Sequence, residues 1–392
     1  MTPTGTPGHT DFVVIGLGAL GSATCLELAR SGHRVVGLER FGLGHSWGAS
    51  HDTSRILRHS YHTPEYVRLT QQAYGDWARL ERDAGTSLVS VVGGLDLFPP
   101  EPAISPVDYT ESLDEVGIDY ELLTAAGVMS RWPQFRLPDG LIALYQADAA
   151  IVPAARGTRV MQDLARSHGA ELRELSPVSG VRDLGGGGFE VDTPQGVLHC
   201  GGVVVCADAW VNEVLSGLGH TIPLEVTLEQ VTYFEPEHPE PFAQGRMPLW
   251  IWMDDPSYYG FPSYGEPTVK AAQDCGGPVV DPDQRGSETD EEMQARVAEH
   301  LRRILPDSGR PVRSLRCQYT LTPDRDFVIS PVPGLEAVVV GMGAAHAFKF
   351  APTFGRLLAD LAVDGRTTTD VSAFRMDRPA LTDPDYQAHW LV

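Results

Sequence analysis

The hydrophobic pattern near the start of the chain predicts a strand, a helix and a second strand in close succession. Residues 12–15 (FVVI) are an uninterrupted apolar run, as in a strand buried on both faces. Residues 22–31 have a helical composition and stop at Gly32, a residue suited to ending a helix. Residues 34–39 form a second apolar strand. This βαβ order requires a parallel sheet with helices packed on its faces.

The later pattern alternates between loops, strands and helices. Residues 41–61 are dense in Gly, His and Ser and are predicted to be a loop. Residues 289–305 carry an apolar stripe and predict an amphipathic helix, whose start is capped by Thr289 together with Glu292. Residues 337–343 predict an apolar strand that enters a Gly-rich turn.

The composition is that of a globular protein with more than one domain. Its 392 residues are 42% hydrophobic, which is enough for a sizeable core. The formal net charge of −22 repels phosphate backbones and anionic lipid, so we predict neither a nucleic-acid nor a membrane-surface partner. No apolar run approaches the roughly 18 residues that a membrane span requires.

The N-terminal segment and the cysteines favour a reducing compartment. Residues 1–10 are polar and lack the basic and apolar regions of a secretory signal. Five cysteines are scattered without CxxC spacing, which argues against a disulfide scaffold and against a zinc site. We therefore predict a cytoplasmic protein without a metal centre.

A Gly-rich turn joins the first predicted strand to the first helix. Gly16, Gly18 and Gly21 match G-x-G-x-x-G, in which the glycines allow a tight turn, the approach of a diphosphate and close packing of the helix on the strand. The N-terminal N–H groups of the helix that follows are then expected to receive the diphosphate charge.

Glu39 ends the second predicted strand. A carboxylate there accepts hydrogen bonds from both ribose hydroxyls of an adenosine and disfavours a 2′-phosphate. FAD or NAD is therefore favoured over NADP, and the βαβ unit itself serves either cofactor.

Segments along the rest of the chain share one resemblance. They are residues 50–61 (SHDTSRILRHSY), 258–262 (YYGFP) with Lys270, 317–320 (CQYT), 341–350 (GMGAAHAFKF) and 378–381 (RPAL). In this order, they resemble the monomeric sarcosine oxidase family of FAD-dependent secondary amino-acid oxidases, which includes N-methyltryptophan oxidase and pipecolate oxidase.

The resemblance implies an α/β fold, in which a glutathione-reductase-like FAD-binding domain is joined to a substrate domain with a mostly antiparallel β-sheet. Both domains would be discontinuous, and a monomer is favoured. The FAD-binding domain is expected to comprise residues 1–85, 147–215 and 323–365, and the substrate domain residues 86–146, 216–322 and 366–392.

The activity that the resemblance implies is oxidation of an N-methyl or cyclic secondary α-amino acid. A hydride equivalent leaves the carbon next to the amine for the flavin, an imine forms, and O₂ is reduced to H₂O₂. One alternative is a biosynthetic flavin oxidase that desaturates or aromatises a cyclic imino acid. Alternatives of another class are a NAD-dependent dehydrogenase and a non-catalytic flavin-binding subunit.

The resemblance also implies roles at the substrate. Arg58 and Lys349 would hold the substrate carboxylate as a guanidinium fork and an ammonium. Tyr259 would line the pocket. Of Trp250 and Trp252, we expect one to pack in the core and the other to face the substrate, and we include Trp250 among the substrate contacts.

Some positions depart from the family pattern. Asp274 stands where the family often has His, which raises the hypothesis of a carboxylate that favours cationic substrates or acts as a base. Asp208, Ala345 and Ala347 stand where the family usually has Gly.

At the flavin, the resemblance implies a covalent bond through Cys317, with Arg313 and Arg316 nearby favouring the thiolate. Lys270 would lie over the flavin and stabilise the charge of superoxide as O₂ is reduced. Arg55 would stabilise the reduced flavin.

His51, His346 and Tyr319 would line the catalytic pocket. The complete set of expected FAD contacts is Gly16, Gly18, Ala19, Leu20, Gly21, Glu39, Arg40, Ser50, His51, Ser54, Arg55, Val178, Trp210, Cys317, Gly341, Gly343, Ala344, Ala345, His346 and Lys349.

Overall fold

A computed structural model describes residues 9–388 of the chain. Most of the polar segment 1–10 and the last four residues of the expected substrate domain therefore lie outside the described residues. Within residues 9–388, no helix combines the length and the apolar character needed to cross a membrane.

Strands and helices alternate along the chain. The strands are β1 (His9–Ile15), β2 (Val35–Leu38), β3 (Arg55–Leu57), β4 (Ser90–Val91), β5 (Gly94–Phe98), β6 (Glu121–Thr124), β7 (Ile142–Gln146), β8 (Ala150–Val152), β9 (Glu171–Arg173), β10 (Gly180–Asp183), β11 (Phe189–Thr193), β12 (Gly196–Val205), β13 (Glu225–Glu235), β14 (Leu249–Trp252), β15 (Tyr258–Phe261), β16 (Val269–Gln273), β17 (Arg310–Leu321), β18 (Val328–Val332) and β19 (Leu335–Met342). The α-helices are α1 (Ala19–Arg30), α2 (Pro64–Ala84), α3 (Pro106–Val116), α4 (Ala125–Arg131), α5 (Ala154–Ser167), α6 (Val211–Leu215), α7 (Glu291–Ile304), α8 (Ala351–Asp364) and α9 (Pro379–Thr382).

The first of two large sheets contains the predicted βαβ unit, which is confirmed. Its parallel part joins β1 to β2 and β12, β2 to β9, and β12 to β19. The long strand β12 also pairs antiparallel with β11 through its first half. Helices α1, α5 and α8 pack together on one face of this sheet, with β1, β2 and the end of β12 buried beneath them.

The second large sheet runs in the order β17–β13–β16–β15–β14–β5–β7–β6. Its neighbouring strands are antiparallel except for the β14–β5 pair, which is parallel. The predicted fold class, a parallel α/β unit joined to a mostly antiparallel sheet, is therefore confirmed.

A small third sheet is formed by β3, β8 and β4. Its first strand lies within residues 41–61, so the prediction of an uninterrupted loop there is wrong. Strand β3 forms there and pairs with β8, because residues 55–57 find backbone partners about 95 residues away that the local pattern does not reveal. This strand fixes the backbone of Arg55 and places Arg58 directly after its end.

The predicted cap of the amphipathic helix is wrong by one residue. Helix α7 begins at Glu291, and its N-cap is Asp290, whose carboxylate accepts hydrogen bonds from the backbone N–H groups of Glu292 and Met293, each at 3.0 Å. A carboxylate at this position also interacts favourably with the helix dipole, which a Thr hydroxyl does less strongly.

Candidate active site

A cavity of about 720 Å³ opens where β1 and β2 end. Ligands of open parallel α/β sheets bind at this edge. The expected nucleotide contacts that line it are Gly16, Gly18, Glu39, Arg40, Ser50, His51, Val178 and Trp210.

The turn between β1 and α1 has no room for a side chain at Gly16 or Gly21. Gly16 has φ of +92°, and a Cβ there would lie 2.4 Å from the carbonyl oxygen of Cys206. A Cβ on Gly21 would lie 1.8 Å from the carbonyl oxygen of Gly16. The backbone of this turn is therefore packed tightly against Cys206, directly after strand β12, and carries no side chain at its glycines, as a diphosphate site requires.

Glu39 is held as a fixed acceptor beside the glycine turn, on the wall of the same cavity. Its carboxylate accepts hydrogen bonds from the backbone N–H groups of Leu17, at 2.8 Å, and Phe41, at 3.0 Å. Burial opposes ionisation, but these bonds and the neighbouring His45 ring hold the pKa of Glu39 below its ordinary value. An ionised, oriented carboxylate in this position suits ribose hydroxyls.

A second cavity, of about 210 Å³, adjoins the first. The two share the lining residues Gly18, Ala49, Ser50, His51, Cys206 and Asp208. The predicted site residues that line the second cavity are Gly18, Ala19, Leu20, Ser50, His51, Arg55, Arg58, Tyr259, Asp274, Cys317, Tyr319, Gly341, Gly343, Ala345, His346 and Lys349.

The backbone around the second cavity is strained. Non-glycine residues that line it with positive φ are Asp52 (73°), Asp208 (46°), Arg325 (59°) and Ala345 (73°). Such conformations cost about 1–3 kcal/mol each and concentrate at functional sites. Their presence here supports this cavity as the reaction site.

Buried polar atoms without partners also face this region. The Nε2 atom of His51 and the side-chain amide of Gln318 have no hydrogen-bond partner among residues 9–388, and both residues line the second cavity. Orphaned buried polar atoms are costly unless a ligand satisfies them. Together with the bare glycine turn and Glu39, they show that the residues present fit a dinucleotide with a polar ring system, as FAD is.

Several expected site residues do not line either cavity. Gly21 packs under the turn, and Ala344 is buried in the core. Ser54 and Lys270 lie one layer behind Asp52, which itself lines the second cavity.

Trp250 is not at the site. It is fully buried in the core behind the second sheet, where its ring stacks with His300. Trp252 contacts the same His300, whereas Ile251 lines the cavity. Alternate residues of a strand point to the same face, so the expectation that one tryptophan faces the core and the other the pocket is incompatible with their spacing.

Lys270 forms a buried ion pair with Asp52. Its Nζ donates hydrogen bonds to Asp52 Oδ2 at 2.6 Å and to the backbone oxygen and Oγ of Ser54, both at 3.1 Å. Tyr233 donates to the other oxygen of Asp52. Burial lowers the pKa of Lys270 to about 8 although Asp52 opposes this shift.

Cys317 lies on β17, opposite Glu229 of β13, and its thiol is buried. Burial raises its pKa, and the cations that oppose this are Arg55 and Lys270. The nearby arginines that the sequence suggested for this role are engaged elsewhere, since Arg313 pairs with Glu266 and Arg316 donates to the backbone oxygen of Leu228.

Arg58 is a buried cation with a buried partner. Its guanidinium forms an ion pair with Asp96, which also accepts a hydrogen bond from Ser60. The guanidinium carbon lies 5.4 Å from the centre of the Tyr61 ring. Arg58 therefore faces the cavity as part of a neutral pair.

Lys349 lies on the turn after β19. Unlike Arg58, it donates hydrogen bonds to uncharged acceptors. Nζ donates hydrogen bonds to Tyr61 Oη at 2.7 Å and to the backbone oxygen of His346 at 3.1 Å. Burial, followed by repulsion from Arg58 and Arg325, holds the pKa of Lys349 well below its ordinary value.

Arg325 lines the cavity and was not found from the sequence. Its guanidinium holds Asp274 in a two-point ion pair with N–O distances of 2.8 and 3.0 Å. The pair engages both carboxylate oxygens of Asp274 and holds this side chain against Arg325. Both residues line the second cavity, so the pair forms part of its wall.

Other residues that sequence reasoning missed are Asp52, Tyr61 and Asp96. Asp96 carried a usable signal, because it is a carboxylate in the middle of the apolar strand GLDLF, where an unpaired charge would be costly. Asp52 and Tyr61 lie within the recognised segment 50–61, but nothing local indicates that they contact lysines more than 200 residues away.

Comparisons with known proteins agree with this geometry. Residues 11–361 match the model of the family described as FAD dependent oxidoreductase. A monomeric sarcosine oxidase of Streptomyces avermitilis is 33% identical over 377 residues, which cover 93% of this chain and 96% of that protein. An N-methyl-L-tryptophan oxidase of Escherichia coli O81 is 28% identical, with 94% and 99% covered.

A solved structure of NikD, an unusual amino acid oxidase essential for nikkomycin biosynthesis, superimposes with a TM-score of 0.84 at 27% identity and covers 98% of both chains. The resemblance proposed from the sequence is thereby confirmed. The alternative of a NAD-dependent dehydrogenase finds no support, because the matching family uses FAD.

FAD supplies two-electron oxidation chemistry when it is bound, and the protein supplies its binding, the orientation of the substrate and the surrounding charges. The first cavity would hold the adenosine and diphosphate through the Gly16–Gly21 turn and Glu39, and the second cavity would hold the flavin and the substrate. The chain belongs to the family of FAD-dependent oxidoreductases.

Proposed function

We propose that this protein oxidises a secondary α-amino acid to an imine and passes the electrons to O₂, with H₂O₂ as the second product. The observation that carries the proposal is the convergence of Arg58 and Lys349 with Cys317 and Tyr319 on one cavity next to the nucleotide cavity. A guanidinium and a lysine amine that can take up a proton suit an α-carboxylate, and the relatives named above are oxidases of N-methyl amino acids.

The test is peroxide formation with sarcosine, N-methyltryptophan, proline and pipecolate. We expect at least one of them to yield one H₂O₂ per substrate oxidised and to bleach the flavin absorbance without oxygen. Matched primary amino acids, glycine and tryptophan, serve as controls and should be slower. Failure of every amino acid to reduce the flavin contradicts the proposal.

We propose that FAD is attached through Cys317. The buried thiol on the wall of the second cavity and the two cations near it support this. Intact mass after denaturation should exceed the chain mass by about that of FAD, and Cys317→Ser should lose the increment. Cys206→Ser, at a buried thiol on the border of both cavities, is the matched control that should keep it.

A second candidate function is a biosynthetic oxidase that removes more than one pair of electrons from a cyclic imino acid. The structural match to NikD over 98% of the chain favours it. Counting H₂O₂ per cyclic substrate distinguishes the two, because simple oxidation yields one and repeated oxidation yields two or more.

The division into two domains is also a proposal. The strands of the first sheet fall within residues 1–85, 147–215 and 323–365, and those of the second within 86–146 and 216–322, which supports the division.

We further propose a monomer in a reducing compartment, the cytoplasm. The cysteines at 25, 200, 206, 275 and 317 are free, and relatives are named monomeric. Light scattering of the purified protein tests the oligomeric state.

A further inference from the structure

Lys349 stands out among the buried cations at the substrate end of the second cavity, because it has no carboxylate. Arg58 is paired with Asp96, and Arg325 is paired with Asp274. Within residues 9–388, no carboxylate oxygen lies within 4 Å of Lys349 Nζ, whose acceptors are the Tyr61 hydroxyl and the backbone oxygen of His346.

The charged groups that face Lys349 leave no net negative charge for it, although Asp274 opposes the lowering of its pKa. The two arginine–carboxylate pairs are each neutral, and Arg55, which lines the same cavity, donates only to backbone oxygens and adds a positive charge. Burial raises the pKa of Asp96, and a proton on Asp96 would leave Arg58 uncompensated and oppose charge on Lys349 further.

The neutral groups around Lys349 do not change this balance. Burial keeps His346 uncharged by holding its pKa well below its ordinary value, and burial raises the pKa of Tyr61, so the hydroxyl keeps its proton. For an amine at 9% exposure without a counter-ion, burial therefore favours the neutral form before a substrate binds.

A substrate carboxylate would supply the missing charge, but an amino acid arrives as a zwitterion whose ammonium nitrogen has no lone pair to release during oxidation. We propose that Lys349 accepts the proton of the substrate amine, so that a single transfer creates both the oxidisable amine and the ammonium that holds the carboxylate. This inference rests on the proposed function.

The transfer is balanced. The N–H bond of the substrate ammonium breaks, its electron pair stays on the substrate nitrogen, and the proton bonds to the lone pair of Lys349 Nζ. No electrons are exchanged, and the total charge of the site with its substrate is unchanged. In this role, binding of a zwitterion takes up no proton from solution.

A carboxylate ligand that has no amine makes the protonation of Lys349 measurable. The proton that Lys349 gains on binding must then come from solvent. The experiment is calorimetric titration of the holoenzyme with cyclopentanecarboxylate near pH 8, in buffers that differ in ionisation enthalpy. We expect uptake of about one proton per ligand bound and an affinity that falls roughly tenfold per pH unit as pH rises, since binding and protonation are linked.

Lys349→Arg is the matched variant, because a guanidinium keeps its charge at all working pH values. It should bind cyclopentanecarboxylate without proton uptake and without the pH dependence. With an amino-acid substrate it should lose kcat/KM roughly tenfold per pH unit below the pKa of the substrate amine, because the proton has no acceptor. Lys349→Met should show no uptake and weak binding.

The outcomes separate this inference from the proposed function. No uptake by the wild type, or undiminished uptake by Lys349→Arg, overturns the inference even if amino acids reduce the flavin. Absence of carboxylate binding, together with absence of flavin reduction by any amino acid, overturns both.

Discussion

The two buried lysines of the site, Lys270 and Lys349, show how differently one residue type is used. Both are almost inaccessible, at 3% and 9% exposure. Lys270 has three acceptors for its three N–H groups, one of them the Asp52 carboxylate. Lys349 has a hydroxyl and a backbone oxygen. Burial alone does not decide the protonation state of a lysine, and the set of acceptors does.

The difference suits different tasks. A lysine held by a carboxylate is a cation below its pKa, which is about 8 for Lys270, and can then stabilise negative charge on an oxygen molecule. A lysine without a counter-ion can gain and lose a proton as substrate binds. The comparison makes predictions that differ for the two sites.

The largest expected effect is that of Lys270→Met on reoxidation. The rate constant for the reaction of reduced enzyme with O₂ should fall roughly 10²–10³-fold, because a fixed charge no longer stabilises superoxide. Flavin reduction by amino acid without oxygen should stay nearly unchanged. Stopped-flow absorbance measures the two half-reactions separately.

Lys270→Met leaves the Asp52 carboxylate buried and unpaired, which should lower the free energy of unfolding by about 3–5 kcal/mol. A control must separate this loss of stability from the effect on the oxygen reaction. The double variant Lys270→Met with Asp52→Asn should recover most of that stability and none of the oxygen rate. Equal losses in both half-reactions would contradict the division of tasks.

Removing the carboxylate of Asp96 tests whether Arg58, unlike Lys349, depends on a buried counter-ion. Asp96→Asn should lower the free energy of unfolding by about 3–5 kcal/mol, because it leaves a buried guanidinium unpaired. The matched control is Glu299→Gln, which breaks an exposed pair with Arg303 and should cost about 0.3–0.5 kcal/mol. Urea unfolding of both holoenzymes measures this, and similar costs would show that the Arg58–Asp96 pair is not truly buried.

Oxygen reactivity should depend on pH through Lys270, whose pKa is about 8. Above this value the cation is lost, so the rate constant with O₂ should fall as pH rises, by up to tenfold per unit. In Asp52→Asn the carboxylate that favours the charged lysine is gone, and the fall should move to lower pH. A midpoint that stays in place or moves upward would mean that Asp52 does not control Lys270.

The smallest effects are expected from a pair of Tyr→Phe variants, one at each lysine. Tyr233→Phe removes a hydrogen bond to Asp52 and Tyr61→Phe removes an acceptor of Lys349, each costing about 0.5–1.5 kcal/mol. Only Tyr61→Phe should raise KM for the amino acid, by less than about tenfold. Steady-state kinetics decides this, and a KM effect of Tyr233→Phe would show that the two sites are coupled.

The sequence was sufficient for features that depend on local pattern. The βαβ unit, Glu39 and the glycine turn follow from run lengths and spacing, because strands, tight turns and diphosphate sites are formed by neighbouring residues. Four of the five segments that resemble the oxidase family also line one cavity, namely residues 50–61, 258–262, 317–320 and 341–350. Local pattern failed at Trp250, where the period of two along a strand should have placed both tryptophans on one face.

The partners of the charged residues were beyond the reach of sequence reasoning. Asp52 and Lys270 are separated by 218 residues, and Asp274 and Arg325 by 51. Ion pairs of this kind depend on how two sheets come together, and no periodicity encodes it. Consequently Arg55, Arg58, Lys270 and Lys349 were found as residues without their charge states, and Arg325 was missed.

The contact between Tyr61 and Lys349 joins positions 288 residues apart. During synthesis, the first half of the cavity wall therefore leaves the ribosome long before the turn that completes it. Contacts so distant in sequence form late and slow folding. A nascent or truncated chain that ends before this turn carries the nucleotide motif without Lys349, so it lacks the contact that completes the wall of the second cavity.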